Sequence, residues 1–167
     1  MDGDGMARMT VKGLEDFSTM IVALGQKGHE VVSAALYAGA GMLADAVRQA
    51  VSSLPEEDWR FVTPGGKKLG VLTPSEKSDL VNAVGIAKFK SDGGKTDTAI
   101  GFDGYSSHPT KKYTSGVPLA MIARSIESGS SVRQKHPFMR QAANAASSRA
   151  QQAMQDAAYQ KIDEITR

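Results

Sequence analysis

Residues 122–148 have the sequence IARSIESGSSVRQKHPFMRQAANAASS, which joins two apolar-periodic segments through a serine-rich turn and a basic tip. Ile122 and Ile126 are four residues apart and therefore share one face of a helix. Gly129 is suited to end that helix, because glycine readily adopts the left-handed conformation that follows many helices. Pro137 is suited to open the next, because its missing N–H is tolerated in a first helical turn. The stretch therefore predicts a helix–turn–helix corner.

The two helices at this corner are predicted to differ in length. The upstream helix is short, opens at Pro118 and turns Leu119 inward with the two isoleucines. The downstream helix begins at Pro137 and extends almost to Arg167. Its apolar stripe is narrow and made mostly of small residues, which suits close helix packing: Phe138, Ala142, Ala145, Ala146, Ala150, Ala153 and Ala157.

The N-terminal part of the chain predicts two further helices. The first spans about 13–24 and the second about 29–52, ending before Pro55. We expect a hinge between them at Gly25-Gln26-Lys27-Gly28, because paired glycines interrupt helical periodicity. The middle of the second helix is rich in alanine and glycine, which favours close packing against another element.

Residues 55–79 contain three prolines and three glycines and are predicted to form an extended loop. A short hairpin is expected within it, around 60–62 and 69–72, and Trp59 is a candidate anchor for the loop. The turn Ser91-Asp92-Gly93-Gly94 then separates two alternating apolar segments, which predicts a β-hairpin. We predict an α+β fold in which this small antiparallel sheet packs against long N-terminal and C-terminal helices. Residues 1–9 form a flexible leader in this scheme, and 10–167 form one domain.

Composition narrows the function classes. The chain has 167 residues, a net charge of +2 and no cysteine, which excludes disulfides and thiolate chemistry. Nucleic acid is disfavoured as the main partner, because nucleic-acid-binding proteins usually carry a larger and more clustered excess of positive charge. We expect neither a signal peptide nor a membrane span, because no uninterrupted apolar run approaches about 20 residues.

Catalytic and metal sites are weakly supported by the residue pattern. His136 lies near Glu127 and several serines, but no serine occupies the glycine-flanked strand-to-helix turn of a hydrolase. His29, His108 and His136 are scattered without a second ligand one helical turn away, so neither a metal nor another cofactor is predicted. A small hydrolase that uses His136 or His108 with a nearby serine remains an alternative.

Lysines on and beside the predicted hairpin form a second alternative. Lys88, Lys90 and Lys95 could build one electropositive edge that contacts DNA or another acidic partner. Further lysines flank it in sequence: Lys67, Lys68, Lys111 and Lys112.

Several motifs in fixed order resemble those of a phage protein family. They are VKGLEDF at 11–17, a leucine at position 80 before the hairpin, Glu127-Ser128-Gly129-Ser130, and PFMRQA at 137–142. The chain resembles the tail-component or tail-completion proteins of long-tailed bacteriophages, a family similar to the lambdoid minor tail protein Z. It departs from the family pattern at Ser128, where an aromatic residue is common, and at Lys77-Ser78, where Thr-Gly is frequent.

The resemblance implies a structural virion protein and not an enzyme. It implies a position at the head–tail junction or the head-proximal end of the tail, with assembly in the host cytoplasm. The implied partners are other copies of the chain in a ring and neighbouring connector, tail-terminator or tail-tube proteins, with no membrane. The implied contact residues cluster at the corner: Glu127, Gly129, Pro137, Phe138, Met139 and Arg140. Of these, Phe138 is expected to pack in the core, and Arg140 could pair with Glu127 within or between subunits.

Overall fold

A computed structural model describes residues 14–57, 70–92, 95–131 and 133–167. Its elements in chain order are α1 (Leu14–Ser52), α2 (Pro74–Ala83), β1 (Val84–Ile86), β2 (Lys90–Asp92), β3 (Lys95–Asp97), β4 (Ile100–Phe102), α3 (Leu119–Ser128) and α4 (Phe138–Thr166). The predicted α+β class, with small antiparallel ladders and long terminal helices, is confirmed. The leader at 1–9 and residues 11–13 of the first motif lie outside the described residues.

The expected hinge in the N-terminal part is wrong, because α1 continues without a break from Leu14 to Ser52. Two interior glycines cost about 1 kcal/mol each relative to alanine, which packing can offset. The packing partner is α4, which runs antiparallel to α1, since Glu30 pairs with Lys161 at 3.4 Å while Gly39 lies against Met154. These contacts with α4 lie at Glu30 and Gly39, whereas a Cβ at Gly25 or Gly28 would meet no atom within 4 Å.

The predicted loop at 55–79 is wrong in its last part, where residues from Pro74 form α2. Thr73 and Glu76 make a capping box, in which the Thr73 side chain accepts from the Glu76 N–H while the Glu76 carboxylate accepts from the Thr73 N–H. Pro74 follows in the first turn, where proline is favoured. Leu80 therefore lies in α2, where it is fully buried, and does not lead the hairpin. Residues 58–69, with Trp59 and the proposed 60–62 strand, lie outside the described residues.

The β-hairpin is confirmed, although it consists of two ladders. β1 pairs with β4 so that Val84 faces Phe102, whereas β2 pairs with β3 so that Lys90 faces Asp97. The two registers differ by one residue, because three residues at 87–89 lie opposite two at 98–99. Such a bulge increases the local twist and shifts which side chains face the helices.

The hydrophobic core occupies one end of the elongated molecule, which we call the body. It joins the C-terminal part of α1 to α2, β1, α3 and the first turns of α4. The predicted inward residues of α3 are buried, as is the beginning of α4. Its members are Ala44, Val47, Val51, Leu54, Val71, Leu72, Leu80, Val84, Leu119, Ile122, Ala123, Ile126, Phe138 and Ala142.

Beyond the body, α1 and α4 continue as a two-helix arm, defined as residues 14–38 together with 151–167. The α1 part alone is about 37 Å long at 1.5 Å per residue. None of the residues whose burial is described in this arm, 22–38 and 151–167, is buried. The seam that joins arm to body is narrow, because Gly39, Ala40 and Ala150 let the two backbones approach closely.

One expectation about α1 also needs correction. By length and composition alone, Val22–Ser52 qualifies as a membrane-spanning helix, with a mean hydropathy of 1.3 in its most apolar window. The apolarity is spread among small residues, so a criterion of uninterrupted apolar runs does not detect it. Val47 and Val51 of the same helix lie in the core, so its C-terminal part has a protein environment in this fold.

Candidate interaction surfaces

The α3–α4 corner is held together by its own polar groups. Gly129 ends α3 with φ of +76°, a conformation that favours glycine, and Pro137 is the N-terminal cap of α4. Glu127 accepts hydrogen bonds from the backbone N–H groups of Met139 at 2.8 Å and Arg140 at 3.2 Å. This carboxylate satisfies two of the free N–H groups at the start of α4 and complements the helix dipole. Glu127 therefore contacts the backbone of residue 140 and serves as an intramolecular cap.

The three residues that open α4 differ in their access to solvent. Phe138 is 3% exposed and makes an edge-to-face contact with Phe102, their ring centroids being 6.1 Å apart. Its expected place in the core agrees with this burial. Met139 is half-buried against the core, whereas Arg140 is exposed. Of this group, Arg140 is the residue that can reach a second molecule.

The turn of the corner is fastened to the body by an ion pair absent from the sequence-based scheme. Arg133 is buried and meets the Glu76 carboxylate with two hydrogen bonds, at 2.5 and 3.0 Å. The guanidinium also donates to the Val71 carbonyl at 2.8 Å, and the Gln134 N–H donates to the Gly70 carbonyl at 3.1 Å. Because Glu76 also completes the capping box of α2, one carboxylate couples that helix to the corner.

The hydrolase alternative finds no assembled machinery at the corner. His136 donates its backbone N–H to the Ile126 carbonyl at 2.7 Å, and Ser130 accepts from the Arg133 N–H at 3.0 Å to shape the turn. Ser128 and Ser131 are exposed, and Glu127 is engaged as a cap. The candidate parts at the corner therefore stabilise the chain path.

A second histidine does have a serine and a carboxylate beside it. The Asp79 carboxylate accepts from the Ser107 N–H at 2.7 Å and from its hydroxyl at 2.8 Å, and that hydroxyl is 3.1 Å from His108 Nδ1. A catalytic triad requires the histidine between hydroxyl and carboxylate. Here the serine occupies the middle position, so its hydroxyl proton is directed to the carboxylate and the arrangement anchors a surface loop.

The hairpin lysines are accompanied by acidic residues. Across the β2–β3 ladder, Lys90 faces Asp97 and Lys95 faces Asp92. Opposite charges in facing positions compensate each other. Lys88 is exposed and precedes the ladder. The predicted electropositive edge is thus reduced by two aspartates that the lysine count overlooked.

A groove lies between α1 and α2. Its space of about 600 Å³ is lined in part by Asp45, Arg48 and Ser52. Arg48 pairs with Asp45 at 2.5 Å, and in the adjoining space Lys77 pairs with Glu56 at 2.9 Å. Both cations are thereby neutralised, and the described residues contain no cluster of three or more metal-ligating groups.

The arm exposes large apolar side chains instead. Val22 is 56% exposed, Tyr37 66% and Tyr159 71%, and Val32 is also exposed. Residues 31–44 contain no charged side chain. Tyr37 touches Phe89 edge-to-face at a centroid distance of 6.5 Å, so the hairpin covers part of α1 near the body. Isolated exposed apolar residues are ordinary, but several along one arm that buries none of its described residues indicate a contact surface.

An ion-pair network at Lys161 links the two helices of the arm. The Lys161 ammonium lies 3.2 Å from Glu164 and 3.4 Å from Glu30, and so bridges α4 and α1. The hydrogen bond that the Lys161 ammonium donates to Glu164, with smaller contributions from Glu30, raises the pKa of Lys161 above its ordinary value of 10.5. The charge remains largely screened by solvent, so this bridge adjusts the arm and does not hold it alone.

Comparison with known proteins adds no relative to this description. No family model, curated protein or solved structure matches the chain. The functional argument therefore rests on the residues and on the geometry described above.

Proposed function

We propose that this chain is a structural protein of a bacteriophage or prophage virion, located at the head–tail junction or the head-proximal end of the tail. It acts in tail completion and head–tail joining by associating with itself in a ring and with neighbouring connector, tail-terminator or tail-tube proteins. It is not an enzyme. The ordered motifs at the corner support the family part of this proposal, and the two-helix arm supports the assembly part.

The arm is the observation that carries the proposal. About 37 Å of α1 leaves the body, with α4 and the hairpin beside it among the described residues, and it exposes Val22, Val32 and Tyr37. Folding of an isolated chain gains little from such an extension, because apolar burial is the main stabilising contribution. A protein that forms part of a larger assembly gains the missing burial at its interfaces.

Two other functions receive less support. A hydrolase would need Ser107 and His108 in a different hydrogen-bond order, and a DNA-binding hairpin would need Lys90 and Lys95 without facing aspartates. Both alternatives predict solution activities that can be measured directly, namely ester or amide hydrolysis and salt-dependent DNA binding.

A genetic test examines the proposal in a phage that carries this gene. Deletion should leave heads and tails that fail to join, or tails of abnormal length, in electron micrographs. Addition of the purified wild-type protein to such lysates should restore infectious particles. The double variant His108→Ala/His136→Ala should restore them equally well, because neither side chain is assigned a chemical role. Normal virions from the deletion strain would contradict the proposal.

A further inference from the structure

The α3–α4 corner carries three exposed cations, Arg124, Lys135 and Arg140. Among the described residues, no carboxylate oxygen lies within 4.0 Å of a side-chain nitrogen of any of the three. Met121 is 47% exposed and precedes Arg124 by one helical turn. The corner thus presents an apolar side chain beside several unpaired positive charges, a combination suited to an acidic protein surface that also carries apolar groups.

The arm of the same chain has the complementary composition. Residues 14–38 and 151–167 contain six acidic and three basic side chains. Asp156 and Asp163 are exposed and seven residues apart, which places them on one side of α4. Within the arm, Asp156 accepts a hydrogen bond from Gln152 at 2.8 Å and Asp163 pairs with Arg167 at 2.5 Å. The large exposed apolar residues Tyr159 and Val22 lie in the same arm.

The arm cannot reach the corner within one chain. Arg140 and Asp163 both belong to α4, and the 23 helical positions between them correspond to about 35 Å. A single helix holds its two ends apart, so the negative and positive surfaces remain separated in every isolated molecule. Only a second molecule can bring them together.

We infer that the arm of one copy docks against the α3–α4 corner of a second copy of this chain. The contact joins two different surfaces head to tail, so an open chain of subunits keeps one free arm at one end and one free corner at the other until a ring closes. The inference rests on the proposed function only for the biological role of the assembly. It names the two faces through which the self-association proceeds.

A second copy fits these surfaces better than nucleic acid does. A net charge of +2 for the whole chain is small for a DNA-binding protein. The corner also combines its cations with exposed Met121, and phosphate contacts have no use for a thioether. In contrast, the arm offers acidic groups for the cations of the corner and exposed apolar side chains for Met121.

Reciprocal charge reversal tests the inference on the full-length protein. The corner variant is Arg124→Glu/Arg140→Glu, and the arm variant is Asp156→Lys/Asp163→Lys. A matched control, Lys88→Glu/Lys90→Glu, changes the net charge as much as the corner variant at the hairpin. Sedimentation velocity over a range of protein concentrations gives the association constant of each, and circular dichroism verifies that each variant is folded.

The wild-type chain and the hairpin control should self-associate, and added salt should weaken this association. Each reversed variant alone should lose about tenfold or more in association constant, because like charges then face each other. An equimolar mixture of the two should associate again, because the intact arm of the corner variant meets the intact corner of the arm variant. The reversed corner and the reversed arm also carry opposite charges. Wild-type behaviour of either reversed variant, or a mixture that stays monomeric, would overturn the inference.

Two further outcomes separate this inference from the proposed function. A wild-type chain that remains monomeric at its highest soluble concentration, yet restores deletion phage, overturns the docking and leaves the function standing. Association that follows the charge pattern in a protein whose deletion leaves virions normal supports the docking and rejects the function. Salt-dependent binding of a duplex DNA oligonucleotide that is lost only in the corner variant, without self-association, would overturn the docking and assign the corner to nucleic acid.

Discussion

The body and the arm of this protein are built from the same two long helices but stabilised differently. In the body, α1 and α4 bury Val51 and Phe138 against α2, α3 and the β1–β4 ladder, and the Arg133–Glu76 ion pair fastens the connecting turn. In the arm, beyond the seam of Gly39, Ala40 and Ala150, the same helices bury none of the residues 22–38 and 151–167 and leave Tyr37 and Tyr159 in solvent. The body therefore determines the fold, whereas the arm is available for contacts with other molecules.

The largest difference between the two regions should be seen with aromatic truncations. Phe138→Ala removes a buried ring and its contact with Phe102, and should lower the free energy of unfolding by about 3–5 kcal/mol. Tyr159→Ala is the matched change in the arm and should alter it by less than about 0.5 kcal/mol, because that ring is exposed. Urea denaturation at low protein concentration measures both. Equal losses would show that the arm contributes to the core.

The next largest effect concerns the ion pair behind the corner. Arg133→Met leaves the Glu76 carboxylate with little compensation in a site where its side chain is 16% exposed, and should cost about 3 kcal/mol. Adding Glu76→Gln removes the uncompensated charge, so the double variant should be more stable than Arg133→Met alone. A cost below about 1 kcal/mol for the single change would mean that the corner does not depend on this pair.

Glycine substitutions distinguish a continuous arm from a hinged one. A Cβ at Gly25 or Gly28 would meet no atom within 4 Å, so alanine there should stabilise α1 by about 0.5–1 kcal/mol each. Amide hydrogen exchange in residues 22–38 should slow accordingly. Gly129→Ala is the control and should destabilise the protein, because φ there is +76° and a Cβ would lie 3.0 Å from Lys135 Cβ. Faster exchange in the Gly25→Ala variant would instead support a hinge at this position.

The smallest effect is expected from Lys161 and depends on pH. Because its pKa is raised in the folded arm, its ion pairs contribute stability below the ordinary value of 10.5, and this contribution disappears as the pH rises through the folded pKa. Thermal melts at about pH 9 and pH 11.5 should therefore differ more for the wild type than for Lys161→Gln. If both proteins lost the same thermal stability between the two pH values, that loss would arise from other groups, such as tyrosines.

The sequence predicts those parts of the fold whose signals are local. Pro118, Gly129 and Pro137 define the ends of helices, and the Ser91–Gly94 turn residues identify the hairpin. The same kind of signal was available for α2, since Thr73-Pro74-Ser75-Glu76 is a capping box, but the surrounding prolines and glycines led to the prediction of a loop. The predicted hinge at Gly25 is wrong because paired glycines only weaken a helix, by about 1 kcal/mol each, and α1 continues through them to its contact with α4 at Glu30.

The candidate surfaces required the three-dimensional structure. No sequence pattern joins Arg133 to Glu76, which are 57 residues apart, and none reveals that Glu127 caps a neighbouring helix. Lysine counting also favoured the hairpin, where strand register places aspartates opposite Lys90 and Lys95. The charge-free stretch at 31–44 is visible in the sequence, but the exposure of Val32, Tyr37 and Met42 within it is evident only from the structure.

The most direct test of the arm as an assembly surface is amide hydrogen exchange measured at a low and a high concentration of the wild-type protein. When the protein associates, exchange should slow together in the arm, at residues 22–38 and 151–167, and at the corner around residues 121–140. The hairpin at 88–97 should remain unchanged. Protection confined to the hairpin, or an arm that exchanges at the same rate in the monomer and the assembly, would contradict the account.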